Sequence, residues 1–180
     1  LGAAGGVGLA ALQLAKLMGA RVIAAASTDE KLKVCKELGA DETINYTTED
    51  IKEKIKALTN GKGVDVVYDA VGDKYSEPAI RSLAWKGRYL VVGFAAGEIP
   101  KIPLNLALLK GASIVGVFWG LFAQTEPMQS MQNFADILGF IKEGKLKQHI
   151  HKIYPLVNAA QALTDLTERK VIGKCVIDCD

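Results

Sequence analysis

A chain of 180 residues, 49% hydrophobic and 23% charged, has the size of one ordinary domain and a globular composition, which excludes a disordered or fibrous chain. Its 22 basic and 20 acidic residues leave a net charge of +2, too small to point to nucleic acid or a membrane surface as partner. No apolar run approaches the ~20 residues that a bilayer-spanning helix needs.

The chain opens Leu1-Gly2-Ala3-Ala4-Gly5-Gly6 without an initiator Met. These residues read as a strand end running into a glycine turn, so the first strand is expected to be largely truncated and the chain to be cut from a longer protein. From Gly6 to Gly19 the residues Val7, Ala10, Ala11, Leu14, Leu17 and Met18 recur at helical spacing. Arg21–Ala26 is a short apolar run bounded by turn residues, the mark of a buried strand. Ser27 or Thr28 caps a helix that carries Leu32, Cys35 and Leu38 and stops at Gly39. Thr43–Tyr46 reads as a weak strand and Thr47–Thr59 as a helix. Val64–Asp69 is a strand, Tyr75–Leu83 a helix, Gly87–Gly93 a strand, Leu104–Lys110 a short helix and Ala112–Val117 a further strand. This alternation predicts an α/β fold of Rossmann type, a doubly wound parallel sheet with helices on both faces.

After Trp119 the rhythm changes. Met128, Met131, Phe134, Ala135, Leu138 and Ile141 mark one long amphipathic helix closed by Gly144. A strand near His149–Tyr154, a helix over Val157–Glu168 and a strand over Gly173–Asp178 follow. Residues 1–125 therefore form the expected dinucleotide-binding core. Residues 126–180 form a return segment towards a partner lobe, within one compact unit.

The stretch Ala3-Ala4-Gly5-Gly6-Val7-Gly8 has the dinucleotide fingerprint in the form A-x-G-x-x-G. Gly5 lets main chain approach a diphosphate, Gly8 lets the helix pack closely on the strand, and the helix start aims free N–H groups at the anion. Ala3 departs from the usual first glycine. An NAD site normally carries an acid ~20 residues further on, at the end of the next strand, to hold the ribose hydroxyls. Ser27 stands there instead. A hydroxyl can donate to a 2′-phosphate that a carboxylate would repel; Lys31, one helical turn on, brings a positive charge, and Tyr46 a phenolic donor. Each alone also reads as a cap, a solvated charge or a surface aromatic. Together they point to NADP(H).

The stretches Ala4–Gly8, Ala26–Lys31, Gly63–Gly72 and Gly87–Phe94 resemble, in order along essentially the whole chain, the zinc-independent quinone oxidoreductases of the medium-chain dehydrogenase/reductase superfamily. The resemblance implies a two-lobed enzyme that passes hydride from NADPH to a quinone or activated enone without zinc, its small β-rich lobe lying outside this chain. It places the diphosphate on Ala4, Gly5, Gly6 and Val7, the 2′-phosphate among Ser27, Lys31 and Tyr46, and the adenine near Ala70 and Val71. The nicotinamide would approach Gly93, Phe94 and Ala95, together with Val117 and Phe118. It also implies a homodimer joined through the edge strand 112–117.

His149 and His151 have no further ligands nearby in sequence, so no metal site is expected. Neither a Ser-His-Asp set nor a carboxylate pair is readable, and no catalytic residue is assigned. Cys35, Cys175 and Cys179 form no CxxC pair and read as free thiols of a reducing intracellular compartment, the cytoplasm ahead of the mitochondrial matrix. Two rival functions remain: an enoyl reductase of fatty-acid or polyketide type, and a nucleotide-binding scaffold without turnover.

Overall fold

The computed structural model describes residues 1–179. Helix α1 (Gly6–Leu17) leads to strand β1 (Ile23–Ala26), α2 (Asp29–Glu37), β2 (Glu42–Asn45), α3 (Ile51–Leu58) and β3 (Val64–Asp69). Then come a short 3-10 turn, α4 (Ser76–Arg81), β4 (Leu83–Val91), α5 (Asn105–Lys110) and β5 (Ser113–Gly116). The remainder is α6 (Trp119–Thr125), α7 (Pro127–Lys142), β6 (Ile150–Pro155), a second 3-10 turn, α8 (Ala159–Thr167) and β7 (Lys174–Asp178). No helix among the described residues is long and apolar enough to cross a membrane.

Every strand pairing is parallel. β1 pairs with β2, in register from Ile23–Glu42 to Ala26–Asn45, and β3, β4 and β5 pair in that order. β6 and β7 form a separate parallel pair. The α/β fold with a Rossmann-type parallel sheet is thus the one expected.

That sheet lies in two pieces. β1 and β3 face one another across a cavity of about 640 Å³, lined by Ile23 and Ala25 on one side and Val64, Val66 and Tyr68 on the other. The opening residues reach both pieces at its mouth. Ala3 N donates to Ala25 O (3.0 Å) and Leu1 N to Tyr68 O (2.6 Å).

Small side chains let the helices close on β1. Ala24, Ala25 and Ala26 are buried, and the two outer ones join Leu9, Leu12, Leu32 and Cys35 in one cluster beneath α1 and α2. A second cluster of Val67, Ile80, Leu83, Tyr89 and Leu106 holds α4 and α5 to β3 and β4.

Of the two expected candidates Thr28 caps α2, its hydroxyl accepting from Lys31 N (3.3 Å). Several other element ends differ from the expectation. α3 starts at Ile51 because Thr47 and Thr48 fold into a turn on Asn45 and Asp50 supplies the cap, accepting from Glu53 N. β4 begins at Leu83, four residues before the expected Gly87; its ladder to β3 shifts register between Val64 and Val66. α6 was not anticipated: its apolar residues carry no buried face and hence no helical stripe to read.

Candidate functional site

The glycine turn joins the opening segment to α1, as the fingerprint requires. Gly5 is the N-cap in extended conformation, and Leu9 N makes the first intrahelical bond, to Gly5 O (2.9 Å). The amides of Val7 and Gly8 precede that bond and have no intrahelical partner, which leaves them for an anion, while Gly5 bridges to Gly173 beside them. Gly8 has a steric reason to be glycine, since a Cβ there would lie 2.8 Å from Ala3 Cα. The departure at Ala3 costs no space: Ala3 is buried beside β1 and its N–H is bonded.

Ser27, at the end of β1, sits at the centre of a polar cluster. Lys31 Nζ donates to Ser27 Oγ (3.2 Å), and the Tyr46 phenol lies close to Ser27. Tyr46 leans on Tyr75 with ring centroids 4.4 Å apart. Burial, and secondarily Tyr75, pushes the Tyr46 phenol above its ordinary range. The three residues that sequence placed at the 2′-phosphate therefore do meet.

A fourth member comes from 138 residues away. Lys31 Nζ donates to Arg169 O (2.7 Å), while Arg169 Nη2 reaches Ala95 O and Ala96 O at 3.3 Å each. Arg169 follows the C-terminus of α8 with φ 59°, the position and conformation that favour glycine. Arg169 N bonds to Leu166 O and Lys170 N to Asp165 O, the paired bonds of a Schellman turn. An arginine there costs about 1 kcal/mol of backbone strain. Burial, followed by the Arg169 charge, holds the Lys31 ammonium below the usual lysine range, against a weaker opposing pull from Glu30. The nearest other carboxylate on α2, Asp29, is turned to Asn45 Nδ2 (2.7 Å). Two cations and two hydroxyls without a paired acid make a seat for a dianion. Sequence reading missed Arg169 because it lies in a stretch whose contacts are entirely long-range; an arginine at a helix end where glycine is usual was the available signal.

The loops after β3 and β4 complete the cleft wall. Ala95 N donates to Ala70 O (3.1 Å) and Ala96 N to Val71 O (2.9 Å), so the two predicted loops are bonded together. Val71 packs on Gly2 so tightly that a Cβ on Gly2 would stand 2.7 Å from its Cγ2. Beneath them Asp69, 1% exposed, accepts from Val71 N (2.7 Å), Gly72 N (3.0 Å), Ser76 Oγ (3.0 Å) and the Tyr89 hydroxyl. Burial and the Asp69 bond push the Tyr89 phenol far up, so it stays a donor. Asp69 is thus the anchor of the 70–72 loop.

Ala4, Gly5, Gly6, Val7, Ala70, Val71, Gly93, Phe94 and Ala95 thus gather at the carboxyl ends of β1 and β3, where ligands bind in open α/β sheets. Val117 and Phe118 stand further out, after β5, which is two strands from β3. Val117 N is held by Val91 O (2.9 Å) and the Phe118 side chain is exposed. Among the described residues no group of three or more His, Cys, Asp or Glu side chains could hold a metal ion.

Comparison with known proteins gives the lineage. A model of the zinc-binding dehydrogenase family matches residues 6–136. The quinone oxidoreductase-like protein 2 homolog of Nematostella vectensis is 42% identical over 98% of this chain and 48% of its own length. The quinone oxidoreductase-like protein 2 of Bos taurus is 38% identical over 97% and 50%. The Escherichia coli quinone oxidoreductase complexed with NADPH superposes with a TM-score of 0.89 at 30% identity, covering 99% of this chain and 55% of that one. The chain spans about half the length of the curated relatives it matches. It belongs to the quinone oxidoreductase family of the medium-chain dehydrogenase/reductase superfamily, as its four motifs led one to expect.

Proposed function

We propose, from that membership, that the chain is the NADP(H)-binding part of an oxidoreductase that reduces a quinone or activated enone without zinc. The observation that carries the choice of cofactor is the Ser27–Lys31–Tyr46–Arg169 cluster at the end of β1, with a hydroxyl and two cations where an NAD site needs an acid. An NADPH-complexed quinone oxidoreductase of the same fold supports it.

The residues fit the cofactor in parts. Ala4, Gly5, Gly6 and Val7 hold the diphosphate through main-chain amides at the α1 terminus. Ser27, Lys31, Tyr46 and Arg169 hold the 2′-phosphate. Ala70 and Val71 wall the adenine side, and Gly93, Phe94 and Ala95, with Val117 and Phe118 further out, face the nicotinamide side. When bound, NADPH supplies the hydride. The protein's own part is orientation and exclusion of water: Asp69 fixes the 70–72 loop, and that loop fixes 94–96 through the Ala70 and Val71 carbonyls. No proton donor is assigned within this chain. The substrate pocket needs the rest of the protein. The exposed strand β5 is the surface through which two copies pair.

The test is a titration of the full-length protein with NADPH and NADH, followed by single-turnover mixing with a quinone, an enone and an enoyl thioester. At least ten-fold tighter NADPH, and its oxidation by the quinone or enone, is the expected result. A ten-fold preference for the thioester makes the protein an enoyl reductase. Tight binding without oxidation by any of the three makes it a scaffold.

A further inference from the structure

The loop after β4 is held from two sides. The amides of Ala95 and Ala96 donate to Ala70 O (3.1 Å) and Val71 O (2.9 Å), which ties it to the loop that Asp69 anchors. Phe94 lies against Gly72, where a Cβ would stand 2.9 Å from its ring. The carbonyls of Ala95 and Ala96 accept instead from Arg169 Nη2, at 3.3 Å each. Among the described residues they have no other donor. A single guanidinium from the far end of the chain therefore holds what main chain leaves loose in this turn.

Arg169 belongs to two ends of the cleft at once. Its own carbonyl takes Lys31 Nζ (2.7 Å), so its main chain is part of the cluster at the end of β1, while its guanidinium is part of the loop at the end of β4. A guanidinium carries five N–H donors in a rigid fork. With Nη2 on the two carbonyls, Nη1 and Nε remain to meet a phosphate. The backbone gives a second, independent sign. Arg169 has φ 59° at a helix end where glycine would sit without strain. Strain of this kind persists where the side chain is put to use.

We infer that Arg169, besides its place at the 2′-phosphate, is a positioning residue for hydride transfer: through the Ala95 and Ala96 carbonyls it holds the 94–96 loop at the nicotinamide side. The inference rests on the nucleotide-binding reading above. It separates two roles of one side chain by what each affects. A contact with the phosphate alone acts on NADPH only, and only on its binding. A grip on the loop acts on the reacting end of NADPH and NADH alike. Small misplacement of reacting groups lowers a rate steeply, by up to ~100-fold for about 1 Å.

The experiment is anaerobic single-turnover mixing of the full-length protein, saturated with NADPH or NADH, with tetramethyl-1,4-benzoquinone, for the wild type and its Arg169→Gly and Arg169→Lys variants. In the step followed, the nicotinamide C4–H bond breaks and its electron pair leaves with the hydrogen for the quinone. The reduced quinone anion takes one proton from water, and the dinucleotide is left oxidised. A slower step with deuterium at the transferred C4 position identifies the rate as that of hydride transfer. Glycine suits the backbone at this position, so the melting temperature of Arg169→Gly should equal or exceed that of the wild type. The variant should bind NADPH more weakly, keep Kd for NADH within about two-fold, and transfer hydride from either at saturation about ten-fold more slowly. Arg169→Lys keeps a charge for the phosphate but no fork to span two carbonyls, so it should recover NADPH affinity and stay slow. An unchanged saturated rate in Arg169→Gly, with NADPH or with NADH, makes Arg169 a phosphate ligand alone and overturns the inference, leaving the nucleotide reading standing. A clearly lower melting temperature in Arg169→Gly assigns the side chain to packing and also overturns it. Dinucleotide binding without hydride transfer by the wild type removes the inference together with the reductase reading, and no dinucleotide binding removes the nucleotide reading itself.

Discussion

The cradle around the glycine turn and the margin formed by β5, α6 and α7 are built by opposite rules. In the cradle, side chains are small or fully bonded: Ala24–Ala26 are buried, and Asp69 has four donors. At the margin every residue of β5 is exposed, and α7 carries Met128, Met131, Phe134, Leu138 and Ile141 with no buried residue at all. An apolar stripe on a helix is normally the part that faces a core. Here it faces outward. The cradle is therefore closed by residues of this chain, while the apolar faces of the margin are left uncovered within it.

Substitutions can break or sharpen that contrast. The largest effect belongs to Gly8→Ala, whose methyl group would overlap the Ala3 main chain. Since backbone cannot rotate away, stability should fall by about 3 kcal/mol, read as a lower melting temperature, with dinucleotide binding lost. A melting temperature equal to wild type would show the turn to be looser than the contact distance says. Asp69→Asn comes next. Its amide would face the Ser76 and Tyr89 hydroxyls that now donate to Oδ2, for a loss of about 2 kcal/mol in urea unfolding.

Lys31→Ala should cost NADPH about 1–3 kcal/mol of binding and NADH almost nothing. Equal losses for the two would take Lys31 out of the cradle. The same residue predicts a pH effect. Its folded-state pKa is lowered, so in the alkaline range the unfolded chain binds more protons and stability rises with pH as Lys31 sheds its proton in the fold. NADPH affinity should fall over that same range, because the phosphate loses its partner; Lys31→Ala should abolish both slopes. The smallest effect tests the margin: Val115→Lys should change stability by less than about 0.5 kcal/mol. It should nonetheless shift sedimentation of the full-length protein from dimer towards monomer. A large loss of stability instead would mean that β5 already packs like core.

Most of the fold was legible because βαβ units announce themselves locally. The Gly6 helix start, the Val64–Asp69 strand and the Pro127 helix need only periodicity and punctuation, and their bounds in the structure lie close to those expected. The start of β4 at Leu83 was not legible, since its first residues straddle a register shift that only the partner strand defines. Ser27, Lys31 and Tyr46 were readable as a group because each ends or follows a strand on the same side of the sheet. Arg169 was not: it reaches the cradle only after the chain has crossed the whole domain, and its one local mark is an arginine at a helix end where glycine is usual.

Ala3 N on Ala25 O and Leu1 N on Tyr68 O tie the two pieces of sheet together beside the glycine turn. The cradle thus shares its anchors with the sheet, and a change that displaces the turn should be felt as faster amide exchange along Ile23–Ala26 and Val64–Asp69 together.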